Sequence, residues 1–178
     1  MKKISPADIE RFIRRLVAGF TTHPDALKIE METAGGCISV QFRPAAEDTG
    51  ALIGTGGKMH KSFQAVLTAL AAHGGLKLYL DSVVEPKDKR MTVAEERKLT
   101  IDEIGQLFST TCDELFEKPY GWAWDTNERR SNINLMIAKN EARNVTDAEL
   151  GGGLSRIFNA IGHKNGMKIY VLLEREKS

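Results

Sequence analysis

Leu52-Ile53-Gly54-Thr55-Gly56-Gly57-Lys58-Met59 decides how this chain is read. A Gly-x-x-Gly turn, Gly54 to Gly57, closes one short apolar segment and stands directly before an amphipathic run. Glycine at both ends of a tight turn lets the backbone approach another molecule closely. The turn's N–H groups add to the positive N-terminus of the following helix and make an anion cradle suited to a phosphate. Two nucleotide-binding patterns fail on spacing. A P-loop needs glycine where Leu52 stands and Ser or Thr where Met59 stands. A dinucleotide fingerprint starting at Gly54 needs a glycine at Met59 and a strand before the turn. Ala46 to Ile53 reads instead as a short helix, so the turn joins helix to helix.

Working outward, Ile9, Phe12, Ile13, Leu16, Val17 and Phe20 recur at helical spacing behind Ser5-Pro6, an N-cap with proline at the first helical position. Leu27, Ile29 and Met31 alternate with charged residues, Ala34-Gly35-Gly36 supplies a turn, and Ile38, Val40 and Phe42 alternate again, which predicts a hairpin. Beyond the Gly-x-x-Gly turn, Met59, Phe63, Val66, Leu67 and Leu70 form a second apolar stripe that ends at Gly74-Gly75. Leu76, Leu78 and Leu80 then alternate as a last strand. The order α-β-β-α-α-β predicts an α+β unit, a three-stranded sheet with helices on one face. Helix, GxxG, helix is the arrangement of a KH domain, whose loop clamps the backbone of about four single-stranded nucleotides.

The stretch from Ile4 to about Pro86 resembles the small bacterial single-KH RNA-binding proteins called KhpA. The likeness rests on His23-Pro24-Asp25, on Phe42-Arg43-Pro44 followed by Glu47-Asp48-Thr49-Gly50, on Leu52 to Lys58, and on the closing strand. It covers roughly half of the chain and implies type II KH order. It also implies cytoplasmic binding of single-stranded RNA without catalysis, metal or cofactor. The RNA-binding residues expected on this basis are Ile53, Gly54, Thr55, Gly56, Gly57, Lys58, His60, Lys61 and Arg43. The family's loop usually offers a basic residue inside the GxxG, whereas here the inner positions are Thr55 and Gly56, with Lys58 and Lys61 following.

The other half becomes legible when the chain is compared with itself. Ile9 and Ile104, Phe12 and Leu107, Phe20 and Leu115, Leu27 and Trp122, Ile29 and Trp124, Ile38 and Ile133, and Phe42 and Ile137 pair at one offset (104 − 9 = 95). Further on, Phe63 and Leu154, Gly75 and Gly166, and Tyr79 and Tyr170 pair at 91 (154 − 63 = 91). Four residues are thus missing from the segment that carries the GxxG. Residues 95–178 read as a degenerate KH-like repeat of the same order, with Gly151-Gly152-Gly153 as a remnant of the loop. The domains expected are a KH domain over 1–86, a charged proline-bearing linker over 87–94 and the degenerate repeat over 95–178. Trp122 and Trp124 are expected in the second core with Ile104, Leu107, Ile133, Leu135, Phe158 and Ile169. The alternative is a base-stacking platform made with Tyr120.

Composition sets the limits. Cys37 and Cys112 lie in different halves without metal-ligand spacing, as in a reducing compartment, and no apolar run is long enough to cross a membrane. Net charge of +1 is low for a nucleic-acid binder, since phosphate contacts by Lys and Arg usually dominate affinity. Binding is therefore expected to be local, around Arg43, Lys58 and Lys61, and Arg11, Arg14 and Arg15 are expected to be solvated surface. His23, His60, His73 and His163 show no ligand spacing, and no acid-base or nucleophile constellation emerges, so no enzyme is expected. Two functions remain: an RNA adaptor or chaperone, or a protein-interaction module with a KH fold and little RNA binding. The second repeat is expected to serve packing: against the first, covering its open sheet face, against a protein partner, or as a surface for a second copy.

Overall fold

The computed structural model describes residues 3–85, 98–116, 120–127, 130–137 and 144–175. Among them run α1 (Pro6–Ala18), β1 (Lys28–Ala34), β2 (Cys37–Arg43), α2 (Thr49–Ile53), α3 (Lys58–His73) and β3 (Lys77–Leu80), then α4 (Ile101–Leu115), β4 (Gly121–Asn127), β5 (Arg130–Ile137), α5 (Asp147–Lys164) and β6 (Lys168–Arg175). The fold is mixed α+β, with two separate three-stranded sheets ordered β1-β2-β3 and β4-β5-β6.

In the first half the predicted elements form for identifiable reasons. Ser5 caps α1 by accepting from the Asp8 N–H, and the Asp8 carboxylate returns a bond to the Ser5 N–H at 2.9 Å, satisfying two donors that a helix start leaves open. Ile9, Phe12, Ile13, Leu16 and Val17 face the core. Positive φ at Gly35 and Gly36 turns the hairpin, which pairs Ile29 with Phe42 and Met31 with Val40. β3 then joins β2 in parallel, Ile38 beside Leu78 and Val40 beside Leu80. Phe63 of α3 meets Phe42 edge-on at 5.7 Å and Phe20 at 6.1 Å between centroids, fastening helix to sheet. Asp48 is buried and accepts from the Thr22 and His23 N–H groups at 2.8 and 2.7 Å. That clasp gives a physical reason for the paired His23-Pro24-Asp25 and Glu47-Asp48-Thr49-Gly50 landmarks.

The second half repeats the helix, antiparallel hairpin, helix and parallel strand, with two differences from expectation. Its hairpin does not run at offset 95. Ala34 pairs with Cys37 and Asn127 with Arg130, an offset of 93 (127 − 34 = 93), so Trp122 and Trp124 occupy the places of Ile29 and Met31. β6 pairs Val171 with Ile133 where β3 pairs Leu80 with Val40, which restores 91 (171 − 80 = 91). Two residues are therefore lost before β4 and two between β5 and β6. Phe108 is fully buried whereas Leu107 is half-buried, so Phe108 holds the centre of this core, 5.1 Å from Trp122 and 4.9 Å from Phe158. The linker expected over 87–94, and residues 138–143 where the counterpart of α2 would fall, lie outside the described residues.

The halves meet helix to helix, α3 against α5, with α1 and α4 alongside. A Cβ added at Gly153 would lie 3.0 Å from the Ser62 carbonyl oxygen and 3.2 Å from a Val66 methyl. Ser62 and Gly153 are themselves counterparts at offset 91, so the helices cross at equivalent residues. His73 bonds the Leu115 carbonyl, Lys164 bonds the Thr21 carbonyl and Arg15 pairs with Glu114. The expectation that the second half might lie over the open sheet face is not met. Tyr79 on that face is 59% exposed, and the joint is made through helices.

Candidate nucleic-acid interface

α2 ends where the Gly54 N–H bonds the Gly50 carbonyl at 2.9 Å. Gly54 holds φ 75° and ψ 170°, a region essentially reserved for glycine. A Cβ there would stand 2.7 Å from both the amide nitrogen and the Cβ of Met59. Gly56 and Gly57 also have positive φ, 63° and 75°, but face open space. The turn closes on itself through Gly57 N–H to the Gly54 carbonyl at 3.2 Å and Lys58 N–H to the Thr55 carbonyl.

α3 starts immediately after. It has no side-chain cap and no acidic residue in its first turn, whereas α1, α4 and α5 each begin with a complete capping box. The Lys58 N–H is spent on the Thr55 carbonyl, but no side chain of the protein caps the N–H groups that follow, and the positive end of the helix dipole faces the turn. Lys58 and Lys61 are exposed beside it, and Ile53, 36% exposed, presents an apolar side chain on the other flank of the turn. His60 sits one turn along α3 with Nε2 2.8 Å from the Asp81 carbonyl oxygen. Gln64 ties the same face to β3, donating to the Leu78 carbonyl at 3.1 Å and accepting from the Leu80 N–H at 2.7 Å.

The structure therefore gathers Ile53, Gly54, Thr55, Gly56, Gly57, Lys58, His60 and Lys61 along one edge. Arg43 is placed elsewhere. Ile38, Val40 and Phe42 point into the core, so alternation sends Arg43 to the outer sheet face, where Nε lies 2.9 Å from Glu30 and a guanidinium nitrogen 3.4 Å from Gln41.

One cation beside the loop comes from the other half. Arg156 of α5 reaches the Lys58 carbonyl at 3.5 Å. With Lys58, Lys61, Gln64, Gly152 and the carboxylate-bearing Glu149 it lines a groove of about 550 Å³ between α3 and α5. Nothing local in the sequence marks Arg156, since its role comes from the docking of α5.

The matching end of α5 is built the opposite way. Glu149, which stands at the position of Lys58 (149 − 58 = 91), accepts from the Thr146 N–H at 3.0 Å while Thr146 Oγ accepts from the Glu149 N–H at 3.2 Å. A carboxylate of the chain itself occupies the helix N-terminus. The Gly151-Gly152-Gly153 expected as a loop remnant lies inside α5, and Gly151 and Gly153 are buried where a Cβ would crowd Leu173 and Ser62. These glycines serve close packing.

The other singled-out side chains are accounted for locally. Tyr120 donates to Asp113; burial, and then that carboxylate, hold the phenol's pKa above its ordinary value. Burial likewise pushes the Cys112 thiol up, which keeps it protonated and unreactive. Arg11 pairs with Asp8 and Arg14 with Glu10. No group of His, Cys, Asp or Glu among the described residues is arranged to hold a metal ion, and no helix among them is long and apolar enough to cross a membrane.

No curated protein matches the chain. The family model described as KhpA/KhpB, KH domain matches residues 10–82, which span α1 through β3 and enclose the GxxG turn. The first half of this protein is therefore a KH domain, and it resembles that of the RNA-binding KhpA proteins.

Proposed function

We propose that the protein grips single-stranded RNA at the Gly54–Gly57 turn and acts as an RNA adaptor or chaperone without catalysis. On this reading residues 95–178 are a second KH-like unit whose task is to dock on the first. The observation that carries the proposal is the start of α3: an uncapped helix N-terminus free of acidic residues, behind three positive-φ glycines, with Lys58, Lys61 and Arg156 beside it. A phosphate placed there meets N–H donors and a favourable dipole. At the N-terminus of α5 it would meet Glu149.

Thr55→Asp tests this. Thr55 is exposed and has no positive φ, so the substitution adds a carboxylate to the cradle without straining the turn. Changing Gly56 to Asp as well would add a left-handed aspartate, so the single variant is the cleaner one. Affinity for a single-stranded oligonucleotide should fall by about tenfold or more, about 1.4 kcal/mol, with the circular dichroism spectrum unchanged. Retention of full affinity would instead favour a KH fold used for protein contacts.

A further inference from the structure

The two halves differ where the first helix meets the first strand. In the first half Arg14 crosses that junction, bonding Glu10 of its own helix at 3.0 Å and the Leu27 carbonyl at 3.0 Å. The counterparts on α4 at offset 95 are Gly105 and Ser109, which are too short to do so. A cleft of about 820 Å³ opens there between α4 and β4, lined by Asp102, Gly105, Gln106, Ser109, Trp122 and Trp124 together with Ile101 and Thr110. The two indoles meet edge to face, 5.9 Å apart at 69°. Both are half-buried, backed by the core on one side and facing the cleft on the other.

We propose that this cleft is a docking site for a protein partner that presents an arginine. The chemistry on its walls is aromatic faces, a carboxylate, a hydroxyl and an amide, with no cation among the described residues that line it. Asp102 has no ion-pair partner among the described residues. A guanidinium is the group that satisfies all of these together. It stacks flat on an indole, donates in a fork to a carboxylate, and is weakly hydrated enough to leave water. A nucleic acid fits less well, since its phosphates would approach Asp102 with no lysine or arginine among the described lining residues to offset the repulsion. The volume exceeds that of one side chain and suits a peptide segment carrying the arginine.

The full chain supplies its own reporter, because its two tryptophans are Trp122 and Trp124. A peptide of alternating arginine and glycine should change their emission saturably. The lysine version should bind several-fold more weakly, since an ammonium lacks the planar face. Asp102→Asn should weaken the arginine peptide several-fold. Ser109→Arg, which lays a long cationic chain across the cleft much as Arg14 crosses the first half, should abolish the saturable change with the circular dichroism spectrum intact. The proposal is overturned if no saturable change occurs, if lysine and arginine peptides bind equally and neither substitution matters, or if single-stranded RNA produces the saturable change in the Thr55→Asp protein.

Discussion

At Gly54 a hydrogen atom in place of a methyl group decides whether the loop can exist. Its φ of 75° and ψ of 170° alone cost a side-chain-bearing residue about 1–3 kcal/mol, and a Cβ there would strike the Met59 backbone, which cannot move without shifting the start of α3. Gly56 has the left-handed φ of 63° but open space around it, so alanine there meets only the αL cost of about 1–2 kcal/mol. Urea unfolding should therefore show Gly54→Ala clearly less stable than Gly56→Ala, and equal losses would mean the Met59 contact is relieved by relaxation. Single residues were the most legible level of the sequence. The GxxG spacing and the Ser5-Pro6 cap act within a few residues of chain, and the Asp48 landmark acts through two hydrogen bonds to adjacent N–H groups. Arg43 was less legible, because strand alternation and the Glu30 pair, not proximity in sequence, direct its side chain away from the turn.

Helices and strands hide other information. A two-residue shift of β4 and β5 preserves which side chains face the core, because strands repeat every two residues. Sequence periodicity could not separate offset 95 from 93, yet the shift moves Trp122 from the buried place of Leu27 to the half-buried place of Ile29. The run of three glycines in α5 was equally ambiguous until α3 was laid beside it. Gly152 faces open space, so Gly152→Ala should stabilise the protein by about 0.8–1.0 kcal/mol through helix propensity alone. Gly153→Ala should forfeit that gain and be destabilising relative to Gly152→Ala, since its methyl would press on the Ser62 carbonyl at 3.0 Å. Equal stabilisation by both would show that the α3–α5 approach is loose. The same approach brings Arg156 to the loop. Three cations at about −0.7 each give a log-log salt slope near −2.1 on single strands, and Arg156→Ala should bring it to about −1.4. A slope unmoved by that substitution would leave the RNA contact entirely to the first half.

Across the whole molecule, one hydrophobic cluster runs through both halves, from Ile9 and Phe63 to Phe108 and Phe158. The contacts that join them link positions related by the same offsets: Ser62 meets Gly153, 91 residues on (153 − 62 = 91), and the His73–Leu115 and Lys164–Thr21 bonds are near-equivalents across the joint. The chain thus resembles a two-fold pair folded from one polypeptide, with an open helix N-terminus in one half and a self-capped one in the other. Comparing the chain with itself points to which elements correspond but not to the joint, because docking depends on which small residues meet which backbone, and such complementarity has no periodic signature. A shared core has a measurable consequence. Separate domains joined by a linker unfold independently, whereas burying the α3–α5 face of each half on the other makes unfolding of either expose apolar surface on both. Both tryptophans lie in the second half, so their emission follows that half alone, while binding of an RNA oligonucleotide follows the first half and far-ultraviolet circular dichroism follows both. In urea the emission and circular dichroism curves should coincide in midpoint and slope, and RNA binding should be lost in the same interval. Loss of the tryptophan signal at lower urea, with half of the helical signal and the RNA contacts of the first half retained, would show two independent domains and a joint too weak to couple them.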